Sequence, residues 1–138
     1  MAIAGLLIVV LGTFGLIIPF VGPLFDFGMG PEPAWVLTMS RLVRHVIPGV
    51  AVILGGLMLF SRATRGLGVA LAVVGGAWIT VAPVVLGQMS EGPPALIDML
   101  RPLTYHYGTG LLITALAAFA LGRMTRIRAG ERAKELNS

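Results

Sequence analysis

Apolar residues run along this chain in four nearly unbroken stretches rather than in stripes. They lie near Ala2 to Val21, Leu42 to Phe60, Gly66 to Gly87 and Tyr105 to Gly122, and none carries the polar stripe that a helix needs when one face meets water. Each is close to the roughly 20 helical residues that cross a hydrocarbon core of about 30 Å. Charged residues gather between and after the stretches. The pattern predicts an all-α fold, an integral membrane four-helix bundle.

The chain also repeats itself. Pro33 to Arg65 lies on Pro94 to Arg126 without a gap, so that His45 meets His106, Gly49 meets Gly110, and Arg62 and Arg65 meet Arg123 and Arg126. Upstream, Leu7 to Val21 lies on Leu71 to Val85, with Gly12 on Gly76, Phe14 on Trp78 and Pro19 on Pro83. Self-similarity of this kind settles architecture before single residues are weighed. It divides the chain into a first transmembrane hairpin at 1–65, a second at 66–126 and a polar tail at 127–138. Because each unit holds two spans, the second enters the membrane in the same direction as the first. The expected relation is a parallel pseudo-two-fold along the membrane normal, which argues against inverted-repeat alternating access.

Composition sharpens this. Apolar residues make up 57% of the chain and charged ones 12%, against about 25% charged in a soluble domain. Met1 to Leu24 holds no Lys or Arg, so it lacks the basic n-region of a secretory signal and reads as the first span. With no cysteine, disulfides, thiolate metal sites and thiol redox chemistry are excluded. Lys and Arg set orientation. Arg62 and Arg65 follow the second span, and Arg123, Arg126, Arg128, Arg132 and Lys134 follow the fourth, whereas the other connections mix Arg41, Arg44 and Arg101 with Asp26, Glu32, Glu91 and Asp98. The expected arrangement is a multi-pass protein of a bacterial-type plasma membrane, with both termini cytoplasmic and Arg62, Arg65, Arg123 and Arg126 against lipid headgroups. The high calculated pI, near 10.7, belongs to that rim. No separate basic domain exists to bind nucleic acid.

Glycine and proline punctuate the connections, and Pro33 and Pro94 stand where a helix can begin. A helix from Pro33 to Phe60 would be about 42 Å long and would have to tilt, kink or protrude. Pro48 and Pro102 are the natural kink points. Small residues recur every fourth position, as Gly68, Ala72, Gly76 and Thr80 on the third span and as Gly110, Thr114, Ala118 and Gly122 on the fourth. Helices in lipid associate through such close approaches, so both ridges are candidate helix contacts.

Two tandem helical pairs, each with an aromatic residue and then a proline near the end of its first helix, resemble the SPW-repeat family of small membrane proteins. Ile18-Pro19-Phe20 and Ala82-Pro83-Val84 stand where that family has Ser-Pro-Trp, and the proline alone is retained in each. The resemblance extends to Arg126. It implies a membrane-embedded repeat and no established chemistry.

Candidate chemistry centres on His45 and His106. Each lies 17 residues before an arginine of the rim (Arg62, Arg123), which places both about 25 Å above it. Two such imidazoles on facing helices could ligate haem b axially or share a metal, with Arg44, Tyr105 and Tyr107 beside them for propionate or quinone oxygens. The plainer reading is that these side chains anchor helix ends at the interface. Trp78 lies deeper and needs a partner for its indole N–H, while Trp35 reads as an interfacial anchor. The seven methionines form no ladder for soft metals.

No Asp, Glu, Lys or Arg stands in the middle of a span, as proton relays, ion-coupled carriers and voltage sensors require. No nucleotide-binding glycine loop, HExxH pair or serine triad can be assembled. The expectation is therefore a non-enzymatic accessory or scaffolding subunit of a larger membrane complex or homo-oligomer, with membrane lipids and other subunits as partners. The alternative is a haem-, metal- or quinone-binding redox subunit using His45 and His106. A small holin-like pore is a third reading.

Overall fold

The computed structural model describes residues 1–25, 34–87 and 107–136. Within them lie four long helices: α1 (Ala2–Val21), α2 (Met39–Met58), α3 (Arg65–Gly87) and α4 (Thr109–Leu136). All four are long and apolar enough to span a bilayer, and the chain is an all-α, multi-pass integral membrane protein.

Successive helices run antiparallel, and at three interfaces they approach through paired glycines. A Cβ built on Gly5 would lie 2.7 Å from the Gly56 carbonyl oxygen, and one on Gly56 would lie 2.8 Å from that of Gly5. Between α2 and α3 the same reciprocity joins Gly55 and Gly68, at 2.6 and 2.7 Å. Between α3 and α4 it joins Gly76 and Gly110, at 3.1 and 2.6 Å. No residue with a side chain fits there, because the carbonyl of one helix occupies the place where the other's Cβ would begin. In lipid this is the cohesive geometry: dispersion contacts and Cα–H···O approaches of about 0.5–1 kcal/mol each replace a hydrophobic driving force that is absent between helices. Ile8, Val52, Leu59, Val69, Ile79 and Ile113 fill the space that remains between the helices.

Threonine hydroxyls inside the spans are satisfied locally, as hydrocarbon demands. The hydroxyls of Thr13, Thr80 and Thr114 donate to the carbonyls of Val9, Gly76 and Gly110, four residues back, at 2.9–3.0 Å.

The four-residue ridges divide in a way that their spacing explains. On α3, Gly68 and Ala72 face Gly55 of α2, whereas Gly76 and Thr80 face Gly110 of α4. On α4, Gly110 is buried and Thr114 half-buried, but Ala118 and Gly122 are exposed, and nothing lies within 4 Å of a Cβ on Gly122. A period of four drifts about 40° per step around a helix of 100° per residue. The positions that stay buried on α4, Gly110, Ile113, Ala117 and Ala120, step by three and four and hold their direction.

The second helix differs from its expected extent. It starts at Met39, where the Thr38 hydroxyl accepts from the Arg41 N–H at 3.2 Å, rather than at Pro33. Thr38 takes the place of the proline because a hydroxyl at the N-cap satisfies a donor of the first turn. Residues 34–38 are non-helical, and Trp35 holds a left-handed φ of 62°. At its other end α4 continues through the polar segment to Leu136. Pro33, Pro94 and Pro102 lie outside the described residues.

Candidate functional site

The end of the bundle opposite the arginine rim gathers Arg41, Arg44, His45 and Trp78, and Pro48 is the reason for part of that arrangement. Residues Leu42–Val46 form a π-helical turn, closed by the Ile47 N–H donating to the Leu42 carbonyl five residues back. The next bond of that pattern would run from residue 48 to the Val43 carbonyl, but Pro48 has no N–H to give. The indole Nε1–H of Trp78, on α3, donates to that carbonyl instead at 2.9 Å. One contact thus answers two needs: the orphaned acceptor on α2 and the tryptophan donor in an apolar span.

Arg44 performs a related task. Its Nη2 donates to the Leu86 carbonyl of α3 at 2.9 Å. Its Nε is buried without a hydrogen-bond partner among the described residues. Arg41 is 3% exposed. Its Nη1 donates to the Val36 carbonyl at 2.6 Å, and its guanidinium lies 5.7 Å from the centre of the Phe20 ring on α1. Three helices are therefore tied at this end by two arginines and a tryptophan.

His45 is also buried, at 7% exposure, within the π-helical turn. Its expected counterpart, His106, and the neighbouring Tyr105 lie outside the described residues. Tyr107 is half-buried. Among the described residues no three His, Cys, Asp or Glu side chains come together as a metal site. Arg44, considered above for propionate or quinone oxygens, has Nη2 engaged with the Leu86 carbonyl of α3.

The remaining candidates separate by place. Pro19 is buried at the end of α1 and Pro83 is half-buried in α3. Gly68, Ala72, Gly76 and Gly110 stand at helix interfaces, Thr114 is half-buried beside Gly76, and Ala118 and Gly122 face away from the other helices. Arg62 and Arg65 lie in and after the α2–α3 turn, where Arg65 Nε donates to the Leu59 carbonyl at 3.2 Å and Thr64 Oγ1 to that of Met58 at 2.9 Å. Arg123 and Arg126 project from another face of α4, beside Phe119 and Gly122.

Reading the sequence alone missed Gly5, Gly12, Gly49 and Gly56, the α1 and α2 glycines through which those two helices touch. The available signal was a seven-residue spacing, Gly5 to Gly12 and Gly49 to Gly56, which keeps two residues on one face of a helix.

Replacing Trp78 by phenylalanine is expected to cost about 1 kcal/mol, the scale of an interhelical hydrogen bond in a membrane. A Pro48→Ala background restores a backbone donor and is expected to shrink that cost, as measured by a double-mutant cycle of unfolding in detergent. An undiminished cost would mean that the indole does not substitute for the missing N–H.

No family model, no curated protein and no solved structure matches this chain.

Proposed function

We propose that this chain is a non-enzymatic accessory or scaffolding subunit, docking against a larger membrane complex or against copies of itself. The observation that carries the reading is the unequal use of α4. Its Gly110–Ile113–Ala117–Ala120 line is spent on contacts within the chain, while only 22% of its apolar window is buried. Ala118 and Gly122 remain on the open side, next to the exposed Phe119. Small residues beside an aromatic suit close approach of another helix.

The subunit is read as a duplicated hairpin with a pseudo-two-fold along the membrane normal. Matched contacts support this: a Cβ on Gly49 meets Leu16 and the Gly12 carbonyl, and one on Gly110 meets Thr80 and the Gly76 carbonyl. Likewise Gly12 meets Val52 and Ile53, and Gly76 meets Ile113 and Thr114. Buried Ile8, Val52 and Leu59 correspond to buried Ala72, Ile113 and Ala120. Gly15 and Ile79, equivalent in the two units, lie against each other, with Ile79 Cδ1 3.7 Å from a Cβ on Gly15, as residues on a two-fold axis would. Membership of the SPW-repeat family belongs to the same reading, as does the cytoplasmic placing of the arginine end, supported by Arg62, Arg65, Arg123 and Arg126 gathering there.

Mild-detergent purification with size analysis, mass spectrometry of co-purifying chains and a visible spectrum tests the proposal. The expected result is an assembly larger than the monomer, without a Soret band, that Ala118→Leu and Gly122→Leu reduce to monomer with helicity intact. A lone monomer with no companion, or a haem spectrum lost in His45→Ala, would overturn it.

A further inference from the structure

At the arginine end a cleft of about 240 Å³ opens between the α2–α3 turn and the extension of α4. Arg62 and Arg65 form one wall; Met124, Ile127, Arg128 and Glu131 form the other. The four α4 residues follow the spacing of one helical face, so the cleft is a feature of the helix pair rather than a chance gathering of side chains. Arg65 is held in place by its Nε bond to the Leu59 carbonyl, so one guanidinium is preset before any ligand arrives. Three arginines against one carboxylate leave a local charge of +2. Among the described residues no carboxylate lies within ion-pairing distance of these arginines, Glu131 included. The wall is also half apolar, through Met124 and Ile127, where a wholly aqueous anion would gain nothing.

The geometry points to a binding site for the phosphodiester of an anionic phospholipid, with the phosphate among Arg62, Arg65 and Arg128 and the glycerol and upper acyl carbons along Met124 and Ile127. Guanidinium groups recognise phosphate through paired N–H donors, and basic pockets between membrane helices take such headgroups. The site rests on the reading of the arginine end as one face of the membrane. Arg123 and Arg126 take no part, since they border a different hollow with Phe119 and Gly122.

Lipid binding to the purified full chain in mild detergent, followed by native mass spectrometry, tests the site where neither sidedness nor a protein partner enters. A failed search for partners therefore leaves this result standing, and the converse holds. Phosphatidylglycerol is expected to bind roughly tenfold or more tightly than phosphatidylcholine, about fivefold of which is lost with each of Arg62→Gln, Arg65→Gln and Arg128→Gln. Arg123→Gln with Arg126→Gln is expected to leave the preference intact. Glu131→Gln, which removes the opposing charge and no cation, is expected to strengthen binding and keeps the test decisive should an arginine variant misfold. Equal affinity for the two lipids, equal loss in the Arg123/Arg126 control, weaker binding in Glu131→Gln or displacement of the lipid by millimolar inorganic phosphate would overturn the assignment.

Discussion

Replacing Gly55 by leucine is expected to destabilise the bundle by about 3 kcal/mol or more, the upper range of overpacking costs. The atoms that a Cβ would meet are the Gly68 carbonyl oxygen at 2.6 Å and the Ala72 nitrogen at 2.9 Å. Both belong to the backbone, so no rotamer change can clear them; α2 and α3 must separate. Separation breaks the reciprocal contact at Gly68 and loosens Val52 and Ala72, which are fully buried beside it. The control is the same residue type in open space. Gly122 has nothing within 4 Å of its Cβ position, and Gly122→Leu is expected to change monomer stability by no more than about 0.5 kcal/mol. Unfolding in a mixed micelle titrated with a denaturing detergent reads both variants. Equal effects would mean that glycine content, rather than helix-to-helix contact, governs stability.

Arg41→Met is the second large effect, about 2–3 kcal/mol. Methionine keeps the apolar stem but removes a charge-assisted bond to the Val36 carbonyl, of a class that contributes about 1.5–3 kcal/mol, and the cation above Phe20. Because Arg41 is almost fully buried, water cannot take over either role. Arg41 joins three parts of the chain, the end of α1 through Phe20, the non-helical residues 34–38 through Val36, and the first turn of α2. Loss is therefore expected to appear first as faster hydrogen exchange in residues 34–46, before global unfolding. A cycle with Phe20→Leu isolates the cation–π part, expected at about 0.5–2 kcal/mol. Strict additivity of the two variants would remove it.

Much of the architecture was legible because hydrocarbon leaves so few solutions for a backbone. The four apolar stretches mark the four helices, and α1 has the expected bounds, Ala2 to Val21. What was not legible depends on partners distant in sequence. Pro48 announces a missing donor, but nothing in the sequence says that Trp78, thirty residues on, supplies the replacement. Arg44 reads as a ligand for a bound group, and that its guanidinium meets the Leu86 carbonyl depends on how α2 and α3 pack. The small-residue ridges were read at a period of four, whereas antiparallel helices in contact select a period nearer 3.5, so Ala118 and Gly122 drift off the interface. Thr38 does not stand out as a cap in the sequence because Pro33 offers an equally good helix start. The pairing of His45 with His106 lies outside the described residues.

The central claim is a pair of hairpins threaded through one bilayer, with the arginine turn and the start of the polar tail on a single side. The absence of cysteine makes a clean test possible, since each introduced thiol is the only one. Ser61 and Thr125 are exposed at the arginine end, and Ser40 is exposed near the start of α2 at the opposite end. In sealed, inside-out membrane vesicles, an impermeant maleimide should label Ser61→Cys and Thr125→Cys alike and reach Ser40→Cys only after the vesicles are opened. Labelling of Ser61→Cys and Thr125→Cys from opposite sides, or of all three from one side, would contradict the account.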